Sequence, residues 1–338
     1  MVEAGGGMPS CSRGEVPLLY VVVPCYNEEE VLPETCRRLA AKLSALEASG
    51  VIDPGSRVLF VNDGSRDRTW EIVRTAHDDP ASLGADALPG RFCGISFAHN
   101  EGHQNALFAG LMHALSRGCD CAVSLDADLQ DDIDAMDEML ERHAQGAEIV
   151  YGVRDNRDTD TAFKRSTAEA FYGLMRWLGV EMVSDSADYR LMGRRSLEAL
   201  SHYGEANLFL RGIVPRLGFS SAEVYYRRAA RFAGESKYPL GKMVSFALEG
   251  ITSFSVRPIR LVTVVGLLSI LVALGMVVYA LASAALGSVV AGWTSLMVSI
   301  WLVGGLIMVS LGVVGEYVGR IYLESKHRPR YVIAEELE

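Results

Sequence analysis

The chain has 338 residues, enough for one large domain plus an appendage. Its formal net charge is −10 and no basic stripe interrupts it, which speaks against a nucleic-acid partner. Hydrophobic residues make up 49% and mean hydropathy is +0.17 although 22% of residues are charged, so the apolar residues must be concentrated in one region.

Residues 1–15 are rich in Gly and Ser and read as disordered. They hold no basic stretch leading into an apolar run, so no signal peptide is expected. Residues 18–23 form an apolar, β-branched run closed by Pro24, which predicts a buried strand. Residues 29–46 follow with helical periodicity (Val31, Leu32, Leu39, Leu43, Leu46). Strands are then predicted over 57–61, 94–98, 121–125 and 148–152, and helices over 67–76, 104–116 and 133–144. Strands alternating with helices at this spacing predict a mostly parallel, Rossmann-like α/β sheet covered on both faces. Ligands of such sheets bind beyond the C-terminal strand ends. Every polar cluster falls at one of those ends: 24–28, 62–65, 100–104, 126–130 and Arg154.

Beyond Arg154 the pattern predicts a helix over 164–178, a loop into a short strand over 184–192, and a helix over 195–203. Residues 240–254 place apolar side chains at 240, 243, 244, 247, 248, 251 and 254, an amphipathic helix. It lies along a membrane surface or packs on the soluble domain; both fit. The six cysteines (Cys11, Cys25, Cys36, Cys93, Cys119, Cys121) lack the paired spacing of a zinc site and read as reduced thiols.

From 261 to 315 no residue is charged. A bilayer needs roughly 20 apolar residues per helix, so this run holds two spans, near 261–286 and 295–315, turning at Gly287-Ser288 and Gly292-Trp293-Thr294-Ser295. Arg257 and Arg260 precede the hairpin, and Arg320, Lys326, Arg328 and Arg330 follow it, while the turn carries no charge. The positive-inside rule then puts both ends, and with them the first 250 residues, on the cytoplasmic side of the membrane. The expected organisation is a disordered 1–15, an α/β domain over 16–239, an interfacial helix over 240–260, two transmembrane helices over 261–318 and a cytoplasmic tail over 319–338. Small residues in the spans (Gly304, Gly305, Ser310, Gly312) permit a homo-oligomer without requiring one.

Asp126 and Asp128 project the same way from an extended segment, and Gln130 continues the row. Two carboxylates and an amide oxygen suit Mg²⁺ or Mn²⁺ held against a diphosphate, where the metal neutralises a departing nucleoside diphosphate. Tyr26 offers an aromatic face for a base, and Asp63 an acceptor for a base N–H, although Asn62-Asp63-Gly64-Ser65 is also ordinary turn chemistry.

Pro24-x-Tyr26-Asn27-Glu28, Val61-Asn62-Asp63-Gly64-Ser65-x-Asp67-x-Thr69, Asn100-x-Gly102 with Ala106 and Gly110, and Asp126-Ala127-Asp128-Leu129-Gln130 occur in order. This series resembles the family-2 glycosyltransferases of the GT-A fold. Gly152-Val153-Arg154, Phe163-Lys164-Arg165, Asp188-Tyr189-Arg190-Leu191-Met192 and Arg231-x-x-Gly234-Glu235-Ser236-Lys237 narrow the resemblance. They are similar to the polyprenyl-phosphate branch, which includes dolichyl-phosphate mannosyltransferases and bactoprenol glucosyltransferases. The two-span tail resembles the bacterial type, and the likeness runs over about residues 18–325.

The resemblance implies an inverting glycosyltransferase that takes a sugar from a nucleotide-sugar, UDP- rather than GDP-, to a polyprenyl phosphate. Pro24, Tyr26, Glu28, Val61 and Asp63 would hold the nucleoside. Asp126, Ala127 and Asp128 would contact ribose and diphosphate, with Asp128 and Gln130 on the metal beside Asp126. Arg154, Arg231 and Lys237 would bind diphosphate or acceptor phosphate, with Arg190 on the acceptor side. Asp188 would orient the acceptor or Arg190, or act as a base, with Asp185 its rival. Many relatives carry Asp where this chain has Asn62, an acceptor without charge. A processive polysaccharide synthase of the same fold is disfavoured, because Gly173 stands where a Gln-x-x-Arg-Trp motif before Arg176-Trp177 needs Gln. A non-catalytic membrane scaffold is disfavoured by the intact Asp126, Asp128 and Gln130.

Overall fold

Five apolar runs become strands close to their predicted bounds: β1 Leu19–Cys25, β2 Arg57–Asn62, β3 Phe92–Phe97, β4 Cys121–Ser124 and β5 Ile149–Arg154. The helices between them are α1 Leu32–Ala48, α2 Thr69–Asp78, α3 His103–Ser116 and α4 Ala135–Ala144. Then come β6 Ser186–Gly193, α5 Arg194–Ser201, α6 Leu210–Arg216, β7 Ser221–Tyr226, α7 Trp293–Ser325 and β8 Ile333–Leu337. This computed structural model describes residues 16–87, 90–155, 186–205, 208–227 and 292–338, with scattered positions between 259 and 279. The expected helices over 164–178 and 240–254, the motifs at 163–165 and 231–237, and most of the first expected span lie outside the described residues.

The sheet order is β7-β5-β6-β4-β1-β2-β3-β8. Alternation of strand and helix predicts parallel neighbours, and β1 pairs in parallel with β2 and β4, as β2 does with β3 and β5 with β7. The sheet is therefore mostly parallel, as expected, with three antiparallel pairings that the strand-helix alternation did not reveal. β6 runs antiparallel between β4 and β5, and β8 runs antiparallel along the outer edge of β3.

Both faces are covered, as expected, and the strand period of two sorts the residues between them. Leu19, Val21 and Val23 of β1 and Val58 and Phe60 of β2 join Leu39 of α1, Val73 of α2 and Met136 of α4 in one core. Tyr20, Val22, Leu59 and Val61 face the other, with Leu107 and Leu111 of α3, Leu197 of α5 and Ile213 of α6. α3 sits close because it carries Gly110: a Cβ there would lie 2.3 Å from Val22 Cγ1 and 2.8 Å from Val61 Cγ2.

α7 has 33 residues and spans about 50 Å at 1.5 Å per residue. Its segment Leu302–Ser325 is, among the described residues, the one helix long and apolar enough to cross a membrane. The helix therefore continues past the expected end of the second span at 315, through a Glu316–Arg320 ion pair at 3.2 Å. The expected two-helix hairpin is described only in this half.

The expected tail, 319–338, is the end of α7 followed by a strand of the catalytic sheet. β8 meets β3 with Ile333 opposite Phe97 and Leu337 opposite Gly94. Trp70 Nε1 donates to Glu335 at 3.0 Å, Arg74 pairs with the same carboxylate, and Arg117 pairs with Glu336 at 2.5 Å. Tyr331 stacks on Phe97 with ring centroids 5.0 Å apart. A charged tail finds four aromatic and cationic partners on one sheet edge, which is why it folds back instead of trailing into solvent.

Candidate active site

The polar strand ends converge at one edge of the sheet, because β1 to β4 are parallel and in register. After β1 the chain turns through Asn27, whose φ of 54° is left-handed. Its N–H donates to Ser65 Oγ at 3.0 Å and its Oδ1 accepts from Arg66 N–H at 2.9 Å, tying the first loop to the second. Glu28 N–H donates to Thr69 Oγ1 at 2.9 Å. Tyr26 stands 40% exposed above this knot, with Pro24 buried beneath it in β1.

Asp63 follows the end of β2, as expected, and is buried; its carboxylate accepts from Glu101 N–H at 2.7 Å, Asn100 Nδ2 at 2.9 Å and Gly102 N–H at 3.0 Å. Burial still pushes its pKa up, against those backbone donors. The carboxylate thus holds the 100–102 loop in place. Gly64 permits this approach: at φ 63°, a Cβ would lie 2.5 Å from the His99 carbonyl carbon. Val61 is wholly buried in the core, so its side chain does not reach a nucleoside. Asn62 donates to Ser96 Oγ at 2.8 Å and accepts from Ser65 N–H at 3.2 Å, a turn-forming role that needs no charge.

β4 ends at Ser124, so Asp126 to Gln130 are not an extension of the strand, and Leu129 has a left-handed φ of 56°. The alternation survives the turn nonetheless. Ala127 and Leu129 are buried, while Asp126, Asp128 and Gln130 are partly exposed. The Ala127 carbonyl accepts from Thr35 Oγ1 at 2.9 Å, and Asp128 Oδ1 accepts from Gln130 N–H at 3.1 Å. Burial raises the pKa of Asp126, and the charges of Asp188, Asp131 and Asp128 raise it further against the opposing pull of His103. Carboxylates that disfavour one another's charge make a place where a divalent cation is stabilising. Among the described residues no three His, Cys, Asp or Glu side chains form a closed ligand cluster. An open row of carboxylate and amide oxygens fits Mg²⁺ or Mn²⁺ completed by diphosphate oxygens and water.

Asp188 on β6 is brought against this row because β6 pairs with β4, Ser124 lying opposite Arg190. It is 5% exposed and engaged on every side. Arg190 Nη2 donates to it at 2.6 Å, Arg211 Nε and Nη2 at 3.2 and 3.1 Å, and Gln104 Nε2 at 3.3 Å. His103 Nε2 lies 3.4 Å from Asp188 and 3.6 Å from Asp126. Burial would raise the Asp188 pKa, but Arg211, His103 and Arg190 hold it well below the usual carboxylate range. Burial likewise lowers the His103 pKa, yet the hydrogen bond to Asp188 and the charges of Asp126 and Asp188 raise it to about 9.

Arg190, expected on the acceptor side, is 2% exposed, with its guanidinium turned onto Asp188 and the Leu210 carbonyl. Arg211 of α6 meets the same carboxylate with its side chain 30% exposed. Arg154 closes β5 with its side chain 29% exposed, held by Asp131 at 3.2 Å. Arg231 and Lys237 are outside the described residues. Sequence reasoning assigned no role to His103, Arg211 or Asp131. His103 lies inside the flagged cluster 100–104 and Asp131 follows Gln130, whereas nothing around Arg211 marks it.

Residues 20–201 match the family Glycosyl transferase family 2. An uncharacterized glycosyltransferase of Bacillus subtilis, YkoT, is 49% identical over 94% of this chain and 91% of its own length. The bactoprenol glucosyl transferase of Shigella phage SfV is 39% identical over 94% of this chain and 98% of its own. A glucosyl-3-phosphoglycerate synthase structure from Mycobacterium tuberculosis aligns with 73% of this chain and 84% of its own, at 18% identity and a TM-score of 0.43.

Proposed function

The chain belongs to glycosyltransferase family 2, and from that premise we propose that it transfers a sugar from a nucleotide-sugar, UDP- rather than GDP-, to a polyprenyl phosphate. The carrying observation is the row of Asp126, Asp128 and Gln130 half-exposed at the end of β4, facing Asp188 and two partly exposed arginines. Near full-length likeness to proteins called bactoprenol glucosyl transferases supports the lipid acceptor.

Tyr26 and Glu28 flank the nucleoside in this reading, and Arg154 meets the diphosphate with a planar fork. Asp126, Asp128 and Gln130 would hold Mg²⁺ or Mn²⁺, which supplies charge neutralisation for the leaving nucleoside diphosphate. An acceptor phosphate is already ionised near neutrality, so its oxygen attacks the anomeric carbon directly as the bond to the diphosphate breaks, with inversion. Asp188 is consistent with that, since a carboxylate held by two arginines is a weak base. It orients His103 and Arg211 at the reacting centre. Arg231 and Lys237 are the further acceptor-phosphate residues.

α7 supports a membrane anchor in this reading, since Leu302, Ile307, Met308 and Leu311 are all exposed apolar side chains. Ile333 sits opposite Phe97, at the C-terminal end of β3, where the active-site loops begin. Residues 326–332 span at most about 25 Å when extended, so the last turn of α7 is tethered near the open end of the site. That connection supports an active site facing the bilayer, on its cytoplasmic side. Incubating the purified protein with radiolabelled UDP-sugars, polyprenyl phosphate and Mg²⁺ should leave label in the organic phase. Label that stays aqueous with every UDP- and GDP-sugar would overturn the reading.

A further inference from the structure

Behind the metal row lies a second, buried cluster built from three segments. Arg154 is the last residue of β5 and is in register with Tyr226, the last residue of β7. Asp131, from the loop after β4, reaches both. The Tyr226 hydroxyl donates to Asp131 Oδ1 at 2.6 Å, and Arg154 Nη2 donates to the same oxygen at 3.2 Å. Arg154 Nε donates to the Tyr226 hydroxyl at 3.3 Å, closing a triangle. The Tyr226 ring is fixed by an edge-on contact with Tyr189 at 5.3 Å. Tyr189 in turn donates to the Asp132 carbonyl at 3.0 Å, which pins the loop that carries Asp131.

Two features set this apart from an ordinary core ion pair. The Asp131 side chain is 1% exposed, and its Oδ2 is buried without a hydrogen-bond partner. Leaving a carboxylate oxygen desolvated and unbonded is costly, so packing alone gives no reason for Asp131 to stand there. The second feature is direction. Arg154 uses its Nε and Nη2 edge inward, and a guanidinium has five donors, so the Nη1 side of this partly exposed residue is left for a ligand.

We propose that Asp131 is a positioning residue: together with Tyr226 it fixes the guanidinium plane of Arg154 against the diphosphate of the nucleotide-sugar. Asp131 touches no substrate itself and acts only through Arg154. The inference rests on the donor-site reading of Arg154 given above. It assigns the diphosphate contact a rigid support shared by β5, β7 and the loop carrying the metal row, so that metal and guanidinium meet the same group from fixed positions.

The test compares a nucleoside diphosphate with its nucleoside. Calorimetry with Mn²⁺ gives the affinity of the full-length protein for UDP and GDP, and saturation-transfer NMR gives that for uridine and guanosine. Asp131→Asn keeps the side-chain volume and removes the charge. It should weaken binding of the preferred diphosphate about 10-fold while leaving the nucleoside unchanged. A merely structural defect would weaken both alike, and that result would overturn the proposal. Tyr226→Phe keeps the ring packing and removes the bridging hydroxyl, so it should give a smaller loss of the same selective kind even where Asp131→Asn folds poorly. Arg154→Lys should weaken the diphosphate by itself, and Asp131→Asn should add little on top of it. Unchanged diphosphate binding in Arg154→Lys would refute the donor-site reading of Arg154. Weakened binding in Arg154→Lys with none in Asp131→Asn or Tyr226→Phe would refute the positioning role alone.

Discussion

At the scale of single residues, the site separates groups that meet a ligand from groups that hold those groups. Asp128 belongs to the first kind, half-exposed in the row that suits a divalent cation. Asp128→Ala should abolish transfer while the protein still folds, and chelation should reproduce the loss in the unaltered protein. Full activity in EDTA would sink the metal assignment. Asp188 belongs to the second kind. Asp188→Asn leaves Arg190 buried without its counter-charge, and breaking such a pair costs about 3–5 kcal/mol. A marked fall in melting temperature is expected, with residual transfer that does not recover as pH rises. A well-folded Asp188→Asn protein with a rate loss of ~10²–10⁴ and donor and acceptor binding intact would instead make Asp188 the base. The sequence marked Asp188 and Arg190 as a motif but could not say which way their side chains turn. Only the pairing of β6 with β4 shows Arg190 facing inward and Arg211 taking the outward position.

At the scale of elements, two contacts hold the framework on which these residues sit. α3 packs on β1 and β2 through Gly110, where a methyl group has no room. Gly110→Ala should destabilise the protein by about 1–3 kcal/mol, read from chemical denaturation, because Val22 and Val61 must shift under the helix. An unchanged midpoint would mean that α3 can lift away freely. β8 is the second contact. Removing residues 330–338 uncovers the edge of β3 and deletes the partners of Arg74 and Arg117. The truncated protein should lose transfer to the membrane lipid more strongly than it loses binding of the nucleoside diphosphate. Equal losses would reduce β8 to a general stabiliser with no part in tethering the site to α7.

At the scale of the whole molecule, the proposed topology puts the hairpin turn across the bilayer from the catalytic domain. Five native cysteines are buried, which makes thiol labelling usable once Cys11 is replaced by serine. A cysteine introduced by Ser288→Cys should react with a membrane-impermeant maleimide added to intact spheroplasts. One introduced by Ser325→Cys should react only after lysis. Labelling of both before lysis, or of neither, would contradict two crossings with a cytoplasmic catalytic domain.

What the amino-acid order determined by itself is whatever depends on local pattern. Strand and helix periods located β1 to β5 and α1 to α4, and the uncharged run from 261 to 315 marked the region that contains most of α7. The acidic row could be read because its alternation of polar and apolar side chains survives the turn that follows β4. The tertiary structure alone decided what depends on partners distant in sequence. It set β6 antiparallel inside the sheet and returned the last residues as β8. It also turned Asp63 onto the loop at 100–102 and collected Asp131, Arg154 and Tyr226 around one oxygen. The physical reason is the same in each case. A side chain's polarity is local information, whereas its direction and its counter-charge are fixed by which strand lies beside it.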